Sequence, residues 1–279
     1  MKTFRVLPAF NGSLAANTTA TVNIPIGFTI HSFMLDWTGS TTFGTGYIDD
    51  IRIKVDGRLI WECDGTNLDK INKYLGRAAS ANNRIMVDMD RFGLYERVQR
   101  EITALGTGAP LDLDPKSKTY NPKQIKNVQM EVDIGTGAAG VSLTGKYEVS
   151  GSSPTGVILK RRKQTRSVSG AGTLDISDLP TGDLINTIFL HDGGNTTDIV
   201  LERDSFQVAD LELLDWSTLV NDGIRTAQSN QMTLDPCYKG FGDQPLTTNV
   251  NDFRIKVTSS GADTLTLFID YIGRHDTGN

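Results

Sequence analysis

Cysteine and histidine are scarce in this chain of 279 residues, which contains two cysteines and three histidines. Cys63 and Cys237 are too few for a disulfide framework or a cysteine-rich zinc site, and we expect both to be unpaired thiols. No apolar stretch approaches the roughly 20 residues that span a bilayer as a helix. The segment Met1–Ser13 also lacks the continuous apolar core of a signal peptide, so we expect synthesis in a cytoplasm.

An excess of basic residues is missing as well, because the formal net charge is −5 at pH 7. This balance argues against a protein that coats nucleic acid along its length. The charge is uneven, however: residues 1–150 have a net charge of +1 and residues 151–279 a net charge of −6. Five of the 11 basic residues of the second half lie in one basic segment, and they are Lys160, Arg161, Arg162, Lys163 and Arg166.

Three interpretations of the basic segment stay open from the sequence alone. The simplest is a strand with a basic polar face, because basic and apolar residues commonly share a surface strand. The others are attraction to anionic lipid or to a partner protein, and contact with nucleic acid.

Short runs of period-2 alternation are the main local signal in the chain. They include TATVNIPIG, IDDIRIKVDGRLIWEC, NRIMVDM, VQMEVDIG, GVSLTGKYEV, FRIKVTSSG and LTLFIDYIG. Asp56-Gly57 interrupts one of them, and both residues tolerate the positive φ of a tight hairpin turn. Helices do not alternate regularly with these runs, so a parallel α/β sheet is excluded and an all-β fold is predicted.

Helical spacing occurs in three places only. Leu68, Ile71 and Leu75 form the first stripe, with Thr66 as a candidate cap and Gly76 as a stop. The second stripe consists of Leu94, Val98, Ile102 and Leu105, and the third of Leu211, Leu214 and Leu219.

The two halves of the chain repeat one another. Ile24–Leu35 resembles Leu179–Leu190, and DIRIKVD resembles DIVLERD, while VQMEV with LTGKY resembles FRIKV with LFIDY. The matches keep their order, which indicates a duplication with shorter loops in the second copy. We place the units at residues 1–150 and 151–279, joined by a Gly/Ser/Pro linker at Val149–Gly156. About eight short strands per unit are typical of a β-sandwich or jelly roll.

The segment Gly135–Gly140 spells G-x-G-x-x-G, which resembles half of a dinucleotide-binding fingerprint. That fingerprint needs a helix that begins at the glycines, because the helix N-terminus holds the pyrophosphate. Here alternation resumes directly afterwards, and the matching loop Thr258–Thr264 keeps a single glycine. We therefore predict a turn between the last two strands of the first unit and no bound nucleotide.

Catalytic groups are poorly represented. No G-x-S-x-G is present, so we predict neither catalytic nor cofactor-binding residues. Paired carboxylates occur at Asp49/Asp50, Asp88/Asp90 and Asp112/Asp114, where surface strand or turn positions are the simplest explanation. A glycosidase site or weak calcium ligands are the alternatives, with Asp49, Asp50, Asp88 and Asp90 as the calcium candidates. Trp37, Trp61 and Trp216 favour core packing over a sugar-binding platform.

Pieces spread over nearly the whole chain resemble one known family. They are VNIPIGFTI, IRIKVDGRLIWE, ITALGTG, VQMEVDIG, VILKRRK, ISDLPTGDLINTIFL and LFIDYIG. Together and in this order they are similar to the major capsid proteins of corticovirus-type phages, which are tailless icosahedral viruses with a membrane inside the shell.

The resemblance implies two tandem eight-stranded jelly rolls with a few short helices in the connections. It also implies a homotrimer with six similar barrels around its axis, which tiles an icosahedral shell next to neighbouring capsomers. Vertex and membrane proteins of the virion would be further partners, and the resemblance allows the basic segment to face the internal membrane. The family is associated with calcium-stabilised particles, so the carboxylate pairs stay weak calcium candidates, and no other cofactor is expected. A bacterial host cytoplasm would be the place of synthesis, and the virion the final location.

Two other functions stay open from the residues alone. One is a tandem carbohydrate-binding β-sandwich that uses the tryptophans. The other is a sandwich-fold glycoside hydrolase that uses one carboxylate pair, such as Asp88 and Asp90.

Overall fold

Alternating apolar residues build two similar sets of strands. The structure is a computed structural model that describes residues 1–38, 45–77, 83–108, 125–138, 141–221, 223, 225–242 and 245–276. The first nine strands are β1 (Thr3–Val6), β2 (Thr18–Ile24), β3 (Thr29–Thr38), β4 (Ile48–Val55), β5 (Arg58–Cys63), β6 (Arg84–Asp88), β7 (Leu105–Gly106), β8 (Val128–Ile134) and β9 (Ser142–Ser150).

The second nine strands pair in the same order as the first nine. They are β10 (Val157–Val168), β11 (Gly172–Ile176), β12 (Leu184–His191), β13 (Thr196–Arg203), β14 (Phe206–Glu212), β15 (Gln231–Leu234), β16 (Leu246–Thr247), β17 (Phe253–Ser259) and β18 (Asp263–Arg274). The helices are α1 (Gly65–Tyr74), α2 (Arg97–Glu101) and α3 (Leu213–Val220).

Each set of nine strands forms two antiparallel sheets. In the first set the orders are β1-β9-β3-β6, with β7 beside β3, and β2-β8-β4-β5. In the second set they are β10-β18-β12-β15, with β16 beside β12, and β11-β17-β13-β14. Every strand number in the second set is nine higher than its counterpart. This is the connectivity of two jelly rolls, so the predicted double jelly roll is confirmed, with one additional two-residue strand in each. We call β1–β9 the first roll and β10–β18 the second roll.

The duplication extends to the irregularities of the strands. The β3–β9 ladder shifts register between Ile30 and Ser32, and the β12–β18 ladder shifts between Ile185 and Thr187. Matching shifts also interrupt the pairs formed by β4 and by β13. Because bulges re-aim side chains and bend strands, their repetition means that the two rolls share local geometry as well as topology.

Both rolls use an aspartate in the same hairpin turn. Asp56 and Asp204 have φ values of 49° and 50°. The Asp56 carboxylate accepts hydrogen bonds from the backbone amides of Lys126 and Asn127, at 2.8 and 2.9 Å. The Asp204 carboxylate does the same for two amides before β17. The Asp-Gly hairpin predicted at residues 56 and 57 is therefore confirmed.

The predicted helices are only partly correct. The first stripe is helical, but Asp64 rather than Thr66 is the N-cap, since its side chain accepts a hydrogen bond from the Asn67 amide at 2.8 Å. The second stripe yields only the short α2, and Val98 and Ile102 point to solvent. The third yields α3, whose buried side is formed by Trp216 and Val220 rather than by the predicted leucines. No helix in the described parts of the chain is long and apolar enough to cross a membrane.

The G-x-G-x-x-G segment connects β8 to β9 and so passes from one sheet of the first roll to the other. Residues 135–138 form a turn, and Gly137 has a φ of 86°, which favours glycine. Residues 139 and 140 lie outside the described residues. Strand β9 begins at Ser142, where a nucleotide-binding helix would have to run. The predicted turn between the last two strands is confirmed.

Candidate assembly surface

The two rolls pack against each other through one end of α1. Tyr74, the last residue of α1, stacks on Trp216 of the second roll with ring centroids 5.9 Å apart and meets Phe189 edge to face at 5.8 Å. Its hydroxyl donates to the buried carboxylate of Asp235, which also pairs with Arg225 at 3.1 Å. Aromatic rings and satisfied polar groups thus make a well-packed contact, which we call the in-chain seam.

A buried ion pair lies at the centre of the in-chain seam. Arg161 of β10 donates to both carboxylate oxygens of Asp270 on β18, at 2.6 and 2.8 Å. Its guanidinium also lies 5.1 Å from the ring centroid of Trp61, on β5 of the first roll. Burial opposes the charge of Arg161, but the Asp270 carboxylate outweighs this effect and raises the pKa of the guanidinium. A small cavity of about 20 Å³, large enough for about one water, lies beside the pair.

This geometry corrects the interpretation of the basic segment. Lys160 and Arg161 are only 2% and 4% exposed, and the Lys160 ammonium pairs with Asp183 and donates to the Arg274 carbonyl. Burial lowers the pKa of Lys160, although Asp183 favours its charged form. The prediction that these two side chains face a membrane or a partner is therefore wrong. Four consecutive residues at the start of β10, Ile158–Arg161, are buried, so both sides of the strand are covered there, which composition alone does not reveal.

The rest of the basic segment lies nearer the surface. Arg162, Lys163 and Arg166 are half-buried, and Arg166 pairs with Asp178 at 2.6 Å. A contact of these three residues with lipid or a partner stays a prediction.

The calcium candidates are engaged by basic groups within the chain. Arg77 donates to both oxygens of Asp88, at 2.6 and 3.0 Å. Asp90 lies 3.7 to 3.8 Å from side-chain nitrogen atoms of Lys2, His31 and Arg100. Asp88 is a poor calcium ligand in this arrangement, because Arg77 occupies both of the oxygens that a metal would need.

The Asp49/Asp50 pair is divided between solvent and interior. Asp49 is exposed, whereas Asp50 is buried 3.3 Å from Arg52. Burial and the neighbouring Glu62 carboxyl raise the pKa of Asp50 to about 7. Within the described residues no three His, Cys, Asp or Glu side chains gather into a metal site, and Asp112 and Asp114 lie outside those residues. Calcium binding stays a prediction.

The aromatic residues and thiols considered as candidates belong to the core. Trp37, Trp61 and Trp216 are at most 2% exposed, which confirms core packing and removes the sugar-binding platform. Cys63 and Cys237 are buried free thiols, as expected.

Equivalent positions in the two rolls differ sharply in exposure. The matching register shifts of the β3–β9 and β12–β18 ladders align Glu148 of β9 with Asp270 of β18. Glu148 pairs with Phe4 of β1 and Asp270 pairs with Arg161 of β10, so Phe4 corresponds to Arg161 and Val6 to Lys163. Phe4 and Val6 are 64% and 71% exposed, whereas Arg161 is 4% exposed and Lys163 is half-buried.

On the other side of the rolls, the second roll is the more exposed of the two. Val208 of β14 is 47% exposed, whereas its counterpart Ile60 of β5 is 1% exposed in the in-chain seam. Helix α1 buries five residues, but its counterpart α3 buries two. The exposed apolar side chains on this side are Phe206, Val208, Leu213, Leu214 and Leu219.

In the in-chain seam, the β5–α1 side of the first roll meets the β10 side of the second roll. The equivalent sides, β1 of the first roll and β14 with α3 of the second, stay uncovered among the described residues. We call the uncovered face of the first roll the β1 face (Phe4 and Val6), and that of the second roll the β14–α3 face. Sequence reasoning missed both. Matching the repeats by sequence does not reveal them, because aligning LTGKY with LFIDY shifts the register by two residues, whereas the ladders place Phe4 and Glu148 at the positions of Arg161 and Asp270.

Family models identify both halves of the chain. Residues 4–150 match the viral coat protein P2 N-terminal domain, and residues 158–275 match the viral coat protein P2 C-terminal domain. The chain belongs to the viral coat protein P2 family. A search of curated protein sequences gives no match.

Solved structures of viral capsid proteins share the coat protein's fold. The major capsid protein P2 of bacteriophage PM2 is 22% identical over 98% of each chain, with a TM-score of 0.82. A chain of Sulfolobus turreted icosahedral virus is 10% identical over 99% of this chain and 92% of its own, with a TM-score of 0.66. The PBCV-1 capsid chain is 9% identical over 100% and 96%, with a TM-score of 0.62.

The coat protein is therefore a structural component of a virion. The glycosidase and carbohydrate-binding alternatives are not favoured. This role explains why the surfaces of interest are apolar faces and not a cleft with catalytic groups.

Proposed function

We propose that three copies of the coat protein join head to tail into a ring of six rolls, and that this capsomer tiles an icosahedral shell around an internal membrane. The observation that carries the proposal is the pair of uncovered faces, which repeat the two halves of the in-chain seam. The β14–α3 face of one copy would meet the β1 face of the next, as the first roll meets the second within one chain. Two different faces make a heterologous contact, which must close into a ring or continue as a filament.

A ring of similar rolls explains why the chain is duplicated. If the contact between copies resembles the in-chain seam, successive rolls are related by nearly the same rotation. Six rolls then require three chains, and the outline approaches a hexagon that can tile a surface. Nothing in this role requires catalysis, so we propose that the coat protein is not an enzyme.

Native mass spectrometry and light scattering of the purified chain test the trimer. We expect a trimer at micromolar concentration, because the exposed apolar side chains on both faces become buried. A clean monomer at high concentration would contradict the proposal.

The internal membrane is a separate part of the proposal. Replacing Arg162, Lys163 and Arg166 by glutamine should weaken flotation with anionic liposomes and leave the trimer intact. The matched control replaces the exposed residues Arg84, Lys126 and Lys239 by glutamine. Equal flotation of both variants would remove this membrane contact. Vertex and membrane proteins as partners, synthesis in the cytoplasm of a bacterial host, and loosening of particles by EDTA belong to the same proposal.

A further inference from the structure

We propose that Phe4 and Val6 of one copy insert into an apolar groove beneath β14 and α3 of the next copy. This inference rests on the head-to-tail ring proposed above and identifies the contact that closes it. The groove has a volume of about 390 Å³. Apolar side chains form most of its lining, and they include Leu201, Ala209, Leu211, Trp216, Leu219 and Leu234.

The groove exists because the second roll has a small residue where the first has a large one. Ile53 pairs with Trp61 in the β4–β5 ladder, and Leu201 pairs with Ala209 in the corresponding β13–β14 ladder. The Trp61 indole fills its site completely and is 0% exposed. Ala209 leaves the same site empty, so the edge of the second roll is open.

The in-chain seam shows what covers this site. Arg161 reaches over Trp61, with its guanidinium 5.1 Å from the ring centroid. Phe4 is the residue equivalent to Arg161 in the first roll. Val6 points to the same outer face of β1 as Phe4, because alternate residues of a strand share a face.

The exchange of residues is complementary in size and charge. Within one chain, a large aromatic ring meets a long guanidinium, which needs Asp270 as its counter-ion. Between copies, a small alanine would meet the Phe4 ring, which needs no counter-ion. Glu148 stands where Asp270 would be, and it already pairs with Lys2 of the same chain at 3.3 Å. Docking of Phe4 therefore does not leave the Glu148 carboxylate as an unpaired charge.

A second copy fits the groove better than a small apolar molecule does. The exposed apolar pair that matches it is present on every copy, at the position that the repeat assigns. The groove is also continuous with the rest of the β14–α3 face, whose exposed leucines would be covered by the same neighbour.

Filling the groove tests the inference directly. Ala209→Trp restores the residue type of the first roll, so we expect the monomer to fold with an unchanged or higher thermal midpoint and the trimer to be lost. Ala209→Ser keeps the groove open and should remain trimeric.

Phe4→Ala with Val6→Ala should raise the dissociation constant of the trimer at least about tenfold, as expected when anchor residues are truncated. The control is Thr3→Ala with Arg5→Ala, on the opposite face of the same strand.

Mixing the two assembly-defective variants gives the sharpest result. The Ala209→Trp chain keeps an intact β1 face, and the Phe4→Ala/Val6→Ala chain keeps an open groove. We expect a mixture to form 1:1 pairs in native mass spectrometry, which cannot close into a ring, whereas each variant alone stays monomeric.

The outcomes separate this inference from the proposed function. A wild-type monomer would contradict the ring itself. A wild-type trimer that persists in both variants would overturn the groove contact and leave the ring standing. If the groove holds a small apolar molecule instead, the wild type should carry an extra mass that Ala209→Trp loses while remaining trimeric, and this too would overturn the inference. If Ala209→Trp fails to fold, the substitutions at the exposed residues Phe4 and Val6 still test whether the groove contact holds the trimer together.

Discussion

At the scale of single residues, burial decides what each charged side chain does. The basic segment appeared as one cluster in the sequence, yet its strand directs Arg161 into the in-chain seam and leaves Arg166 at the surface. Alternation was visible beforehand, but the roll that covers one side of the strand was not. The location of that roll depends on contacts with residues about 100 positions away, which one strand's pattern does not encode.

The buried ion pair gives a prediction about stability. Arg161→Met should cost about 3–5 kcal/mol of unfolding free energy, because Asp270 would remain as an uncompensated buried charge. Replacing both residues, Arg161→Met with Asp270→Leu, should cost clearly less than Arg161→Met alone. Urea unfolding followed by circular dichroism measures both losses.

A surface pair provides the control for this prediction. Arg84 and Asp36 lie 2.9 Å apart, but the Arg84 side chain is 56% exposed. Arg84→Met should therefore cost no more than about 1 kcal/mol. If Arg161→Met were equally mild, the in-chain seam would not hold the pair in a dry environment.

A buried histidine gives a prediction about acid sensitivity. Neither ring nitrogen of His191 has a hydrogen-bond partner among the residues that the structure describes, and the ring packs edge to face on Phe268 at 5.5 Å. Burial, together with the positive charges of Lys70 and Arg161, lowers the pKa of His191 to about 3. The unfolded chain binds a proton at this position below about pH 6.5, whereas the folded chain does not until about pH 3, so stability is lost as the pH falls through this window.

We expect His191→Leu to be nearly neutral at pH 7 and to flatten the decline of unfolding free energy between about pH 6.5 and 5. Urea titrations at a series of pH values compare the two slopes. Parallel slopes for the variant and the wild type would show that another group causes the acid sensitivity.

At the scale of elements, local chemistry predicted turns better than helices. The Asp56-Gly57 hairpin followed from two residues that accept positive φ, and the structure has it. The stripe from Leu94 to Leu105 failed, because its spacing fits a helix but the chain there ends in β7 beside β3. Pairing with a distant strand overrides local periodicity, and a single sequence does not show which segments will pair.

A repeated threonine gives a prediction at this scale. Gly27 and Gly182 both have a φ of 101°. The hydroxyl of Thr107 accepts from the Gly27 amide at 2.9 Å and donates to the Phe28 carbonyl, and Thr248 makes the same bonds around Gly182. Both threonines are buried, so Thr107→Val and Thr248→Val should each cost about 1–3 kcal/mol, because each removes the two hydrogen bonds of a buried hydroxyl.

Equal losses at the two positions are the specific expectation, since the rolls share this turn. Thermal and urea unfolding measure them, and the exposed Thr144→Val serves as the control with a change within about 0.5 kcal/mol. A large loss of unfolding free energy in one roll and none in the other would show that the same turn geometry contributes differently to the stability of the two rolls.

At the scale of the whole molecule, the repeat was the strongest signal in the sequence. Matched segments in preserved order predicted two similar units, and the four sheets have the same connectivity in pairs. The uncovered faces were not predicted, because the residue types of Phe4 and Val208 do not show whether these side chains are exposed or buried. Only the comparison of equivalent positions in three dimensions shows that the β1 face and the β14–α3 face lack the cover that their counterparts have in the in-chain seam.

Because the in-chain seam is large and well packed, we expect the two rolls to unfold together. Trp216→Phe leaves Trp37 and Trp61 as fluorescence reporters of the first roll, and Trp37→Phe with Trp61→Phe leaves Trp216 as the reporter of the second. In each variant, the urea midpoint from fluorescence should coincide with the midpoint from circular dichroism, which reports both rolls. Adding Arg161→Met to either variant should lower both midpoints together, since the seam links the two cores. Midpoints that separate, or a shift confined to the Trp216 reporter, would show that the rolls are independent domains and that the seam contributes little to stability.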